Sequence, residues 1–396
     1  MGEEKVHCSL ETRVVHGSKG FDPTTGAVSF PIYQTATFRH PGLGMSTGFD
    51  YSRQENPTRR ELEETMAALE SGTRGFAFST GMAAITAALD LLSSGDRVLY
   101  SEDLYGGTYR IAETVCARHG ISFALVDTRS LAAVEEAWTP NTRALLIESP
   151  SNPMSRVSDI GALASLARSR GALSIVDNTF LTPLLQRPLE LGADLVVHSG
   201  TKFLAGHNDT LAGFAVVKDP GLGERLFEIQ RTTGAVLAPF DSWLLLRGLK
   251  TLAIRIKRQE ESAHAIAAWL RTRPEVAEVH YVGLPDHPQR ELSKSQSSGF
   301  GSMMSFRLRD QGRVASILER VRIITYAESL GGVESLITFP VLQTHASTPK
   351  ELRERLGVDE ALLRLSVGIE AVEDLIADLG QAFAPLGKGF NKSQES

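Results

Sequence analysis

The sequence predicts an α/β protein whose main sheet is mostly parallel and covered by helices on both faces. Three observations lead there. From about residue 56 to residue 200, apolar runs of four or five residues alternate with amphipathic segments. Runs without a polar residue at every second place suit strands that are buried on both sides. At 396 residues, with 42% hydrophobic and 22% charged residues, the chain has an ordinary globular composition and length enough for more than one domain.

The elements follow in order along the chain. The first fifty residues are irregular and rich in Gly, Pro, Thr and aromatics (Phe30-Pro31-Ile32-Tyr33, Phe38-Arg39-His40-Pro41). Residues 1–55 read as an arm laid across another surface, that of a neighbouring subunit. A helical run over Thr58–Glu70 carries Leu62, Met66 and Leu69 on one face and stops at Ser71-Gly72. Gly75-Phe-Ala-Phe78 then precedes a helix from about Met82 to Leu92, and Arg97-Val-Leu-Tyr100 precedes one over Tyr109–His119. Further strands are expected at Ser122–Val126, Ala144–Ile147, Leu173–Val176 and Leu195–His198, completing a large domain over residues 56–248. A helical stretch over Phe240–Leu270 leads into a smaller α+β domain, residues 249–396. It has strands at Val276–Val282 and Met303–Leu308, a last helix over Ala371–Phe383, and a tail, Lys388–Ser396, expected to fray.

Charge and cysteine content exclude several functions. Forty-one Lys and Arg against 47 Asp and Glu give −6, spread without long like-charge runs, so no phosphate-backbone footprint is present. Two cysteines, Cys8 and Cys116, form no CxxC or Cys/His pair, which fits a reducing cytoplasm and excludes a disulfide framework or zinc ribbon. The charged start carries no apolar signal segment, and no run of about eighteen apolar residues could span a bilayer. GxxxxGK[ST], HExxH, GxSxG and EF-hand motifs are all missing, and the ten histidines show no ligand spacing.

One constellation remains, at strand ends of a parallel sheet, where open α/β sheets place ligands. Asp177 ends the run Ile175-Val176-Asp177. Lys202 follows His198-Ser199-Gly200-Thr201. Ser79-Thr80-Gly81-Met82 turns into a helix whose first amides are free. Taken singly, each is ordinary: a solvated lysine, a turn-forming Asp, a helix cap. Together they are the three protein parts that pyridoxal phosphate needs. The lysine forms a Schiff base, the carboxylate keeps the pyridine nitrogen protonated, and the helix start holds the phosphate.

The residues at and around these strand ends resemble the Cys/Met-metabolism family of PLP enzymes, which contains the cystathionine synthases and lyases and methionine γ-lyase. The resemblance runs from about residue 10 to 385. It is carried by Tyr51-Ser-Arg53, Asn56-Pro57-Thr58, Ser79-Thr-Gly-Met82 and Asp103-Leu-Tyr105-Gly-Gly-Thr108. Glu148-Ser-Pro-Ser-Asn152-Pro153, Val176-Asp177-Asn178-Thr179, Ser199-Gly-Thr-Lys202 and Gly206-His207-Asn208-Asp209 follow. Ala327-Glu-Ser329-Leu-Gly-Gly332, Gln343-Thr-His-Ala346 and Arg364-Leu-Ser-Val-Gly368 complete it.

The resemblance implies a PLP-dependent transferase of fold type I, with a seven-stranded type of sheet in the large domain. It implies that Lys202 carries the cofactor, that Asp177 pairs with its ring nitrogen, and that Gly81, Met82, Ser199 and Thr201 hold its phosphate. Tyr105 would stack on the ring and serve as the second acid/base. Tyr51 and Arg53 would reach the phosphate of a neighbouring subunit in a homo-oligomer, a dimer of dimers. Arg364, with Asn152 and Ser329, would bind the substrate α-carboxylate.

The implied chemistry removes the α-proton with freed Lys202 and expels a group from Cγ, after which a thiol adds or the product hydrolyses. Glu328, before Ser329, resembles the acidic position of the cystathionine-handling branches, and Asp50 is a second acid that either meets a distal amine or pairs with a neighbouring arginine. Gly107 stands where methionine γ-lyases resemble a cysteine. The preferred reading is a cystathionine γ-synthase, joining O-acyl-homoserine and cysteine into cystathionine. The alternatives are a cystathionine γ- or β-lyase, an O-acylhomoserine sulfhydrylase, or a cofactor-binding regulatory protein without turnover.

Overall fold

The computed structural model describes residues 8–385. Seven strands form the larger sheet: β1 (Arg74–Phe78), β2 (Arg97–Ser101), β3 (Ser122–Val126), β4 (Thr142–Glu148), β5 (Leu173–Asp177), β6 (Leu195–Ser199) and β7 (Gly213–Val217). Their order is β1-β7-β6-β5-β4-β2-β3. Only β7 runs antiparallel to its neighbours, β1 and β6. Successive residues feed opposite helical layers, as a pleated strand requires. Ala144 and Leu146 join one buried cluster with Phe76, Phe78, Val98 and Val197, while Leu145 and Ile147 join another with Leu99 and Val176.

The expected strands and helices stand where the sequence placed them, with ends moved by a few residues. β7 was not anticipated. It follows β6 through the loop of residues 200–212 with no helix between, so it breaks the strand–helix alternation that marked the others. The first long helix, Pro57–Leu69, starts one residue early because Asn56 caps it and Pro57 occupies its first turn. The expected Tyr109–His119 helix begins at Gly106 and passes into a π-helical turn at Ala112–Cys116. The helical stretch near residue 250 is two helices, Pro239–Leu249 and Leu252–Arg271, broken at Lys250-Thr251.

Part of the N-terminal stretch belongs to the chain's own core. Leu10–His16 is a helix, and Val14 on it is 1% exposed. Ser18 N–H donates to Glu61 Oε1 and Thr65 Oγ1, both at 3.0 Å, tying the stretch to the Pro57–Leu69 helix. Beyond it, Phe21, Val28, Leu43, Met45 and Tyr51 keep apolar surface exposed. The expected fraying tail lies outside the described residues.

The smaller sheet contains β8 (Val276–His280), β9 (Met303–Leu308), β10 (Thr325–Tyr326), β11 (Leu336–Thr338) and β12 (Leu362–Ser366), in the order β10-β11-β12-β9-β8. Its strands split residues by parity. Met304, Phe306, Leu363, Leu365 and Ile337 pack on the helices Leu252–Arg271 and Val372–Phe383. Ser305 and Arg364 point the other way, toward the larger sheet, where Ser305 Oγ donates to Pro153 O at 2.7 Å.

The Leu252–Arg271 helix also grips the loop after β6. Arg255, 3% exposed, donates from Nη1 to Phe203 O at 2.8 Å and from Nη2 to Gly248 O at 2.9 Å. One turn on, Gln259 Nε2 donates to Gly332 O at 2.7 Å. Replacing Arg255 with alanine strands the Phe203 carbonyl, while Gly248 O keeps the Thr251 N–H, so Arg255→Ala is expected to lower unfolding free energy by about 1–3 kcal/mol in urea denaturation.

Candidate active site

A cavity of about 210 Å³ opens at the ends of β4, β5 and β6 and is closed on its far side by residues near the smaller sheet. Gly81, Met82, Tyr105, Asn152, Asp177, Ser199, Thr201, Lys202, Glu328, Ser329 and Arg364 all line it. The residues proposed from strand ends therefore share one cavity with Tyr105, Asn152, Glu328, Ser329 and Arg364, which were implied only by resemblance.

Lys202 sits in the loop between β6 and β7, and its Nζ donates to Ser329 Oγ at 2.8 Å. Burial, aided by the nearby Arg364 cation and opposed by Glu328, lowers its pKa to about 8. Ser329 holds a left-handed backbone, φ 85°, which aims its carbonyl at Arg364 Nη2, 2.8 Å away. Asp177 ends β5 and is fixed by Thr179, whose N–H and Oγ1 both donate to Oδ1, at 3.0 and 2.5 Å. Thr179 Oγ1 in turn accepts Ser199 N–H at 2.8 Å, coupling β5 to β6 at the cavity floor. Burial raises the Asp177 pKa against these hydrogen bonds.

At the helix start over Gly81–Leu89, Thr80 Oγ1 accepts Ala83 N–H at 3.0 Å, and Thr80 O accepts Ala84 N–H. No described residue accepts from the Gly81 and Met82 amides. β7 presses against this turn: a Cβ at Gly213 would lie 2.1 Å from Thr80 O, so only glycine fits.

Arg364 is 2% exposed and has no carboxylate partner among the described residues. Nη1 donates to Asn152 Oδ1 at 3.2 Å and Nη2 to Thr338 Oγ1 at 3.0 Å, while Nε is buried without a partner. Burial lowers its pKa to about 10. Asn152 is held in turn by His345, whose Nε2 lies 3.1 Å from the Asn152 carbonyl. Burial, with the Arg364 cation nearby, lowers the His345 pKa to about 4.

A phosphate-bearing aldehyde cofactor fits this donor set. Lys202 supplies the amine, Asp177 a carboxylate opposite it, the Gly81 and Met82 amides a phosphate cup, and the orphan Arg364 fork a second anion site.

Residues 11–384 match the Cys/Met metabolism PLP-dependent enzyme family. The chain belongs to that family. It is 48% identical over 374 residues to a cystathionine beta-lyase of Lactococcus lactis, covering 94% of this chain and 98% of that one. It is 50% identical over 372 residues to a cystathionine gamma-lyase of Bacillus subtilis, with the same coverage. It superposes on a cystathionine gamma-synthase from Xanthomonas oryzae with a TM-score of 0.93 at 40% identity, covering 95% of this chain and 98% of that one. This member of the family is thus a pyridoxal-phosphate-dependent enzyme. Its relatives divide between synthases and lyases.

Three expected site residues stand outside the chain's own cavity. Tyr51 is 43% exposed, and Arg53 donates to Arg231 O on the outer surface. Asp50 accepts from Ser46 Oγ at 2.6 Å and lies 3.7 Å from His40 Nδ1, so of its two alternatives the pairing with an arginine is not seen within the described residues. At Gly107 a Cβ would lie 2.3 Å from Tyr105 Cε1, so a larger residue there would displace the Tyr105 ring. Sequence reasoning overlooked Glu148, Thr179 and Leu211, which also line the cavity. Thr179 stood in the Val176–Thr179 motif and could have been found as a partner for Asp177 two residues away.

The charges around Lys202 predict its titration in the apoenzyme. Reaction of Lys202 with an amine-selective reagent, followed by peptide mass spectrometry, should rise with a midpoint near pH 8. Arg364→Met removes a repelling cation and should move that midpoint up. Glu328→Gln removes an attracting anion and should move it down.

Proposed function

We propose that the chain is a cystathionine γ-synthase, working at Cγ of O-acyl-L-homoserine with L-cysteine as the incoming thiol. The observation that carries this reading is the placement of Glu328. It is an exposed carboxylate at the cavity mouth, one residue before Ser329, in a cavity whose anion sites lie at the Gly81–Met82 helix start and Arg364. A homoserine-type substrate bound through its carboxylate to Arg364 directs its far end toward the mouth. There Glu328 suits the ammonium of a second amino acid, either cysteine or the cysteine half of cystathionine.

When bound, the cofactor supplies an electron sink for charge developing at Cα. The chain's own groups do the rest. Lys202 would hold the cofactor aldehyde and, as a free amine, would take the α-proton at Nζ; its depressed pKa keeps a fraction unprotonated near neutral pH. Asp177 would pair with the ring nitrogen. The Gly81 and Met82 amides, with Ser199 and Thr201, would hold the phosphate. Tyr105 would cover the ring and serve as the second acid/base. Arg364, Asn152 and Ser329 orient the substrate carboxylate. Tyr51, Arg53 and Asp50 complete the site of a second copy in a homo-oligomer. This assignment is supported by their place outside their own cavity and by the exposed apolar side chains Leu43 and Met45 just before them.

A second reading, elimination from cystathionine, is favoured by the 50% identity to the Bacillus subtilis gamma-lyase. Mass spectrometry of products separates the two. O-acyl-homoserine with cysteine should yield cystathionine, while cystathionine alone should stay intact. Release of cysteine and 2-oxobutyrate would make the enzyme a γ-lyase; homocysteine and pyruvate would make it a β-lyase. Lys202→Ala should lose both the visible absorbance of the attached cofactor and turnover, and unchanged turnover would overturn the assignment. Glu328→Val should weaken the use of cysteine or cystathionine by about tenfold, and the use of O-acyl-homoserine less, as competition kinetics would reveal.

A further inference from the structure

The cavity floor holds a second carboxyl group with no role in the account above. Glu148 ends β4 as Asp177 ends β5, and the two are register partners in parallel strands, so their side chains leave the sheet on one face. Both line the cavity. Glu148 is 6% exposed, and no described Lys, Arg or His forms an ion pair with it. Its Oε2 accepts the Tyr105 backbone N–H at 2.9 Å. Tyr105 is the N-cap of the Gly106–Ile111 helix and makes no side-chain capping bond of its own. A carboxyl from the neighbouring strand therefore holds the turn that carries the Tyr105 ring over the cavity.

We propose that Glu148 is a positioning residue for the reaction. It anchors the Tyr105 turn from beneath, and it leaves Asp177 as the one charged carboxylate on the floor. The second half rests on the reading of Asp177 given under the proposed function. Two carboxylates on adjacent strand ends without a cation between them do not both ionise readily. The charged groups facing Glu148 are Asp177 from β5, Asp103 from the turn after β2, and Arg364 from β12. Burial, with Asp177 and Asp103 as neighbours, raises the Glu148 pKa well above the ordinary range.

The sign of the pH effect follows. A carboxyl whose folded pKa lies above its unfolded value binds its proton more tightly in the native state. Native stability then falls as pH rises from the unfolded value toward the folded one. Glu148→Gln keeps an oxygen that accepts the Tyr105 N–H and removes the titration; Glu148→Ala removes both.

The test uses the cofactor-free full chain and follows melting temperature from pH 5 to 8.5. The stability advantage of Glu148→Gln over the wild type should grow as pH rises; parallel curves would overturn the charge assignment. For the reconstituted enzyme, Glu148→Gln should hold pyridoxal phosphate within about threefold of wild type by fluorescence titration, and Glu148→Ala should weaken it about tenfold. Equal affinity in wild type and Glu148→Ala would overturn the anchoring role, and a tenfold loss in Glu148→Gln would also refute it. Because the melting curves need neither cofactor nor substrate, their outcome stands apart from whether synthase or lyase activity is found.

Discussion

The site depends on two cations, Lys202 half-buried and Arg364 fully buried, without an ion-pairing carboxylate among the described residues. Lys202 touches a hydroxyl and Arg364 touches a carbonyl, an amide oxygen and a hydroxyl, all neutral acceptors. Burying an unpaired charge costs several kcal/mol even after relaxation. That cost is why both groups have depressed pKa values, to about 8 and about 10. On the proposed reading, a substrate carboxylate at Arg364 would supply the anion missing there, so the same strain that weakens the empty protein would strengthen its grip on substrate.

Such strain needs a rigid frame, which the fold supplies from two directions. The larger sheet delivers Asp177 and the Lys202 loop at adjacent strand ends, tied together through Thr179. The smaller sheet delivers Arg364 by parity: its neighbours Leu363 and Leu365 are committed to the apolar core, so residue 364 must face the larger sheet. The Leu252–Arg271 helix spans both, with Arg255 on the lysine loop and Gln259 on the loop containing Ser329 to Gly332. One element therefore fixes the spacing between the amine and the carboxylate fork.

Legibility in the sequence followed the physics of burial. The covered strand Met303–Leu308 and the half-buried edge strand Ser122–Val126 both appear as apolar runs, and their limits in the sequence match those in the structure. Asp177, Lys202 and the Ser79–Met82 turn were visible because polar residues ending such runs mark sheet edges. Arg364 and Ser329 needed the family resemblance, since β11 is three residues long and β12 carries an arginine inside an apolar run. Arg255 reads as an ordinary surface residue of an amphipathic helix, and nothing local announces that its face is covered. Glu148 was passed over because a glutamate after a strand usually meets solvent. Only the pairing of β4 with β2 and β5 places it between Tyr105 and Asp177.

The cavity mouth differs in kind from its floor. Glu328 and Leu211 are exposed, and Glu328 makes no hydrogen bond or ion pair to a described residue. Substitutions at exposed positions generally change stability by only about half a kcal/mol. Those at Arg364 or Asp177 disturb a buried polar network and cost far more. Selection can therefore revise the mouth repeatedly while the floor stays fixed, and a lineage can change its reaction without refolding its catalyst. Relatives at 48% and 50% identity bear the names of different reactions, as expected of a scaffold whose specificity is cheaper to mutate than its chemistry.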